Sequence, residues 1–412
     1  MQVVERHVVK KDDLRFAIID AAAFASKNLY NQANYQIRQA YIHQGNYLPY
    51  TEVFHVVKSM DCYKALPAKV ANSILILLHK NWIAFFEALE AYKADPSRFT
   101  GRPKLPKYKD KAKGRNILIY DTQALGKRAF KKTGKLLPSG ISIEIETCVT
   151  EWRQFAQVRI VPRPDGYLIE VVYEQQEEQA EVDKNLVAAL DPGVNVLAAI
   201  TSNKPGFVPR LLSGKPIKSA NQLYNKQRAA HQSRLSHEKR FTSRQLDRIT
   251  TKRNRCVDGY LHTASRRIID LLVEEGIGVL VIGKNPLWKQ KVNLGSKNNQ
   301  QFVQLPHARF IDQLVYKAKL VGITVILQEE SYTSKASSLD GDPIPTYRAD
   351  QTEQTVFSGK RIARSWYRAR DGRIIHADIN GSYNILRKSS SDPSQLGRGV
   401  VGTAVCPRRL AV

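Results

Sequence analysis

The sequence predicts a multidomain α+β chain with a helical N-terminal quarter, a basic β-rich middle and a C-terminal half of α/β type. Three observations predict it. Apolar residues recur at helical spacing over 17–93, short β-type runs lie between 139 and 175, and apolar strands alternate with helices beyond 186. At 412 residues the chain is also too long for one ordinary core.

Residues 1–10 read as a short strand, and 17–44 as a helix carrying Tyr30, Tyr35 and Tyr41. In 68–93, Ile74, Leu78, Trp82, Phe85 and Leu89 stand at helical spacing and predict a packed helical core. The texture breaks at FTGRPKLPKYK (99–109), where two prolines and a glycine forbid a helix interior. Between 102 and 136 there are 12 Lys/Arg against 2 Asp. The runs 139–148, 157–164 and 167–175 predict a small basic β-barrel or sheet, and 177–185 a linker.

Beyond it, LVAALDPGVNVLAAITS reads as two adjacent strands joined at Pro192–Gly193. A basic helical region spans 204–255, with 14 Lys/Arg and 2 acids. Then come a helix at 262–275, the buried strand GIGVLVIGKN, a helix at 303–320 with Phe310, Leu314 and Ala318 on one face, and the strand ITVILQ. The end, with SSSDPSQLGRG, reads as a loosely ordered tail.

The net charge of +26 sets the class of partner. So positive a surface favours a polyanion, with nucleic acid ahead of anionic membrane, because no Lys-faced amphipathic anchor stands out. No run of 18 apolar residues predicts a membrane span, and the charged start MQVVERHVVKKDDLRF predicts no secretion signal. Cys62, Cys148, Cys256 and Cys406 stand far apart without a CxxC, which suits a reducing cytoplasm and predicts no disulfide framework.

Three acids sit at the edges of apolar segments: Asp191 in ALDPG, Glu330 (after Glu329) in TVILQEE, and Asp378 in IIHADING. Each has a plain structural reading, as a turn starter, a solvated strand exit and a helix N-cap respectively. Together, on adjacent elements of one α/β layer, they would make an oxygen-ligand site for Mg²⁺, with Mn²⁺ as a substitute. Two such ions can activate water and stabilise the leaving oxygen of a phosphodiester.

ALDPGVN, VIGKN, FVQLPHARFIDQLVYKAKLVGI, ESYTSKAS and GKRIARSWY…HADINGSYNILRK resemble the TnpB family of transposon-encoded, RNA-guided DNA nucleases, relatives of compact type V CRISPR effectors. The resemblance implies a WED oligonucleotide-binding β-barrel (1–12 and 99–184) interrupted by a helical REC domain (13–98). A RuvC domain with an RNase H-like core then spans 185–334, with a basic insertion at 204–260. A target-nucleic-acid-binding segment (335–377), the last RuvC motif (378–390) and a tail (391–412) complete it. The resemblance makes Asp191 the first RuvC acid and Asp378 the third. Where many members carry the second, after the strand VLVIG, this chain has Lys284. Either the chain is a nuclease-dead, RNA-guided repressor, or Glu330 has taken over, with Glu329 facing the other way. Relocation is the expectation.

The family's four-cysteine ribbon has no counterpart, since 335–377 contains no cysteine and His376 as its only histidine, so no zinc is expected. DGDPIP (340–345) lacks EF-hand spacing. Expected nucleic-acid contacts are Arg102, Lys104, Lys107 and Lys109 in the stiff Pro-rich segment, Lys226, Arg228, Arg234 and Arg240 in the basic helices, Lys284, and Arg361, Arg364 and Trp366 in a basic finger. Tyr30 and Tyr35 are candidates for the flanking DNA motif, with helix-core packing as the competing reading. The expected partners are a guide RNA from the transposon end and double-stranded target DNA, with one protein monomer per guide, in the bacterial cytoplasm at the nucleoid.

Overall fold

The computed structural model describes residues 1–285, 300, 302–346, 355–389 and 407–412. The chain divides into two compact units, Met1–Gln175 and Gln176–Val412.

In the first unit, strand β1 (Gln2–Lys10) is followed by helices α1 (Phe16–Gln44), α2 (Tyr50–Val57), α3 (Asp61–Lys64) and α4 (Ala68–Ala94). After a long extended stretch come β2 (Leu118–Asp121), α5 (Lys127–Thr133), β3 (Phe155–Arg163) and β4 (Gly166–Glu174). The four strands form one antiparallel sheet in the order β1-β4-β3-β2. The helices are therefore an insertion between two strands of one sheet. Trp82 of α4 is fully buried and donates its indole N–H to Asn34 of α1 at 3.0 Å, which keys the two long helices together. The run 139–148 forms no ladder. It buries Ile143 and Ile145 in strand fashion, but its pairing is a single bridge, Leu136↔Ile145.

The second unit is built on a mixed six-stranded sheet of β5 (Asp183–Pro192), β6 (Val196–Ser202), β7 (Arg210–Ser213), β8 (Ile277–Gly283), β9 (Thr324–Gln328) and β13 (Arg408–Leu410). Its order is β13-β7-β6-β5-β8-β9. β5–β6 and β6–β7 pair antiparallel, whereas β5–β8 and β8–β9 pair parallel. The basic region expected to be helical from 204 thus first contributes β7. Then α6 (Lys215–His237) and α7 (Arg244–Glu274) follow, the latter one continuous helix. One sheet face packs on α7 and α8 (His307–Leu320) through Leu190, Ile200, Leu280, Ile282, Leu261, Ile268 and Phe310. The other face, with Ala189, Ala199 and Val281, packs on α9 (Ala377–Ser389) through Ile379, Tyr383 and Ile385. β10 (Lys360–Ala363), β11 (Trp366–Arg368) and β12 (Ile374–His376) form a small antiparallel sheet that leads directly into α9.

The DGD stretch ties this segment together. Asp342 accepts the backbone N–H groups of Ser337 and Ser358 at 2.8 and 3.0 Å, and Asp340 accepts the Ser358 hydroxyl and the Arg370 N–H, both at 2.9 Å. Among the described residues no helix is long and apolar enough to cross a membrane.

Candidate active site

Alternation along a strand decides which side chains face α9. On β5, Ala189 belongs to the α9 face, so Asp191, two residues on, faces it as well. Helix α9 can come this close because it carries Gly381. A Cβ there would stand 2.5 Å from the Asp191 carboxylate. Ser382 fixes the helix height by donating to the Ala189 carbonyl at 3.0 Å, and its hydroxyl also bonds Thr201 at 2.9 Å.

On β8, Val281 is on the α9 face, and so is Gly283. A Cβ on Gly283 would meet Glu330 Oε2 at 2.5 Å and Ile385 Cδ1 at 2.6 Å. The Glu330 carboxylate thus fills the space a side chain at 283 would take. Strand parity thus puts the filled space at Gly283, one residue before Lys284, where the resemblance put it. Lys284 is half-buried and takes part through its backbone N–H, which donates to Gln328 at 2.8 Å. Asn285 accepts the backbone N–H of Glu330 at 3.0 Å, so the end of β8 holds the residue that fills its gap.

Glu329 serves a different end. It forms an ion pair with Lys388 of α9, whose side chain is only 8% exposed, and it accepts the Ser331 N–H at 2.7 Å. Asn380, Asn384 and Arg387, at i, i+4 and i+7 along α9, bond the loop after Glu330. Asn380 donates to Ala336 at 2.8 Å, Asn384 to Thr333 and Ala336 at 2.8 and 2.7 Å, and Arg387 to Asp342 at 3.0 Å. One polar stripe of α9 therefore carries the loop that presents Glu330. None of these positioning residues was singled out in the sequence. The polar stripe in an otherwise apolar helix was the available signal.

Asp378 lies in the first turn of α9, not at its N-cap. Its carboxylate is 3.7 Å from Arg361 and 4.0 Å from His376. Burial, reinforced by the Asp378 charge, pushes the Asp191 carboxyl up to about 7, against the opposing pull of Arg361. Burial and the neighbouring Asp191 and Glu329 charges push Glu330 up to about 8. Burial would also raise Glu329, but hydrogen bonds from Lys388 and Ser331 hold it below its ordinary value. The three carboxylates are thus electrostatic neighbours with Asp191 in the middle. Burial and neighbouring charge disfavour the ionised forms of Asp191 and Glu330, and oxygen donors of this kind suit a hard divalent cation. Among the described residues no group of three or more His, Cys, Asp or Glu is placed so that it could hold a metal ion.

The remaining expected contacts divide. Arg102, Lys104, Lys107 and Lys109 are exposed. Their backbone is pinned to α1: Asn31 exchanges two bonds with Lys109 at 2.8 and 2.9 Å, and Asn34 and Arg38 both donate to Pro106 at 3.0 Å. Lys226, Arg228, Arg234 and Arg240 are exposed, as are Arg361, Arg364 and Trp366. Tyr35 is 48% exposed, whereas Tyr30 is buried at 4% in the helical core. Its ring lies inside the packed helical core, which is the competing reading of that residue.

The comparisons with known proteins agree with this fold. A family model described as a probable transposase, OrfB_IS605, matches residues 170–288, and one for the Cas12f1-like TNB domain matches 307–385. A TnpB-like protein, ORF457 of Acidianus two-tailed virus, is 21% identical over 406 residues, covering 88% of this chain and 81% of its own. Over these regions the chain is similar to TnpB and OrfB proteins. A cryo-EM structure of a Cas12f1–sgRNA–target DNA complex is similar in fold, with a TM-score of 0.53 at 14% identity, over 89% of this chain and 82% of that one.

Proposed function

We propose that the chain is an RNA-guided DNA endonuclease encoded by a transposon, which cuts double-stranded DNA beside a short flanking motif at Asp191, Glu330 and Asp378. One observation carries the reading: the Glu330 carboxylate occupies the side-chain space of Gly283, facing Asp191. The rival reading, a guide-directed repressor without catalysis, needs Glu330 turned away from the aspartates, and its position argues against that.

Asp191, Glu330 and Asp378 would hold Mg²⁺, which supplies an activated water and charge stabilisation for phosphodiester hydrolysis. Asp191 and Glu330 sit on a rigid floor, fixed by the sheet and by Asn285. Asp378 approaches from α9, and Arg361 beside it offers a guanidinium to a phosphate entering at the acids. The insertion between β1 and β2 takes the REC role and the four-stranded sheet the WED role, binding guide RNA and the flanking duplex. Sequence would be read by pairing to the guide, and the protein would follow backbone and shape. The bonds of Asp340 and Asp342 tie Ser337, Ser358 and Arg370 together beside the site. One nuclease site would cut the two strands in turn.

The test is plasmid cleavage with Mg²⁺, guide RNA and a library of flanking sequences. Wild type, Glu329→Ala and Lys284→Ala linearise plasmid only with guide present, and Glu330→Ala does not. Cutting by Glu330→Ala at the wild-type rate would sink the relocation. Transposition by the chain without RNA would favour a DNA-rearranging transposase instead.

A further inference from the structure

Helix α6 is long for what it buries. Over 23 residues it buries Ile217, Asn221 and Leu235. From Gln222 to Arg244 nearly every residue of the α6–α7 arm is exposed or half-exposed, with Leu235 the buried exception. A helix that is polar all round gains little from its own fold, so its use lies in what it presents. Between 226 and 248 the arm presents seven Lys/Arg against Glu238 and Asp247.

Its tip is built, not frayed. Arg240 N–H donates to Leu235 O at 2.8 Å and Lys239 N–H to Ser236 O at 3.1 Å, the paired bonds of a Schellman helix end. Lys239 takes the left-handed conformation this requires, φ 51°, although glycine would adopt it at less cost. Three residues later Ser243 caps α7 by accepting the Leu246 N–H at 3.1 Å. Between these two caps stands Phe241, 88% exposed, the most exposed aromatic among the described residues. Lys239, Arg240 and Arg244 surround it in sequence, all exposed. An apolar ring held in water among cations contributes nothing to the folded state.

We propose that Phe241 is a stacking platform for an unpaired nucleobase, with Lys239, Arg240 and Arg244 holding the flanking phosphates. Every base has a face that stacks on an aromatic ring, and cations on either side neutralise the backbone, so the site takes single-stranded nucleic acid without reading its sequence. The charge excess selects a polyanion over a protein surface. The inference deepens the nucleic-acid reading above and rests on it.

The experiment uses the full-length protein and a 12-nucleotide oligouridine RNA carrying one 2-aminopurine. Wild type binds and quenches the 2-aminopurine. Phe241→Ala binds about tenfold more weakly, does not quench, and keeps the salt slope. Phe241→Trp restores both affinity and quenching, and Arg244→Ala lowers the salt slope by about one. Equal binding and quenching by Phe241→Ala, or failure of Phe241→Trp to restore them, overturns the stacking site. Failure of wild type to bind any RNA overturns the broader nucleic-acid reading instead. Unchanged circular dichroism and melting of the variants separate these outcomes from misfolding.

Discussion

The neighbouring strand ends at 283 and 330 are complementary opposites, one without a side chain and one supplying it. β8 ends on Gly283, whose missing side chain leaves a hole at the α9 face. β9, its parallel neighbour, leads into Glu330, whose carboxylate fills that hole. The difference teaches that one strand end can supply a carboxylate to the space its neighbour leaves empty. An acid can move to the next strand provided the old position shrinks to a hydrogen.

Four substitutions probe this pairing. The largest effect belongs to Glu330→Ala, which removes the carboxylate in the Gly283 space: plasmid cleavage falls at least about a thousandfold, while guide-RNA affinity in a filter-binding assay is unchanged. Next is Gly283→Ala. Its new methyl would sit 2.5 Å from Glu330 and 2.6 Å from Ile385, so cleavage drops about ten- to hundredfold by displacement of the acid. A Gly283→Ala protein that cuts normally would uncouple the two strand ends. Lys388→Met strands Glu329 without its partner. A pair this enclosed contributes about 2 kcal/mol, and the calorimetric melting midpoint falls about 4–8 °C. The smallest effect is Lys284→Ala, which keeps the backbone bond to Gln328. Cleavage stays within about threefold and stability within about 0.5 kcal/mol.

Much of this could be read from the chain because the signals were periodic. The stripe through Trp82 and the β5–β6 pair around Asp191 came from patterns that burial enforces directly. Glu330 was legible because an acid after an apolar strand is unusual in so basic a protein. The hole at 283 was not, because strand parity is counted from a register and register is a tertiary fact. Reading VLVIG as ending one residue later put Lys284 in the gap. β7 was hidden by its length of four residues inside a basic stretch, and the ladder expected at 139–148 lacked a partner strand. Tyr30 shows the converse: its helix was plain, but the sequence alone left open whether it faced DNA or, as the structure shows, the core.

The first strand also dictates an order of events. Gln2 pairs with Glu174 and Lys10 with Gly166, so the N-terminus has no sheet to join until the whole helical insertion and the hairpin beyond it exist. On a ribosome the opening ten residues would wait, unpaired, through the synthesis of more than a hundred and fifty others. The unit then closes in a single late step that locks its beginning to its end.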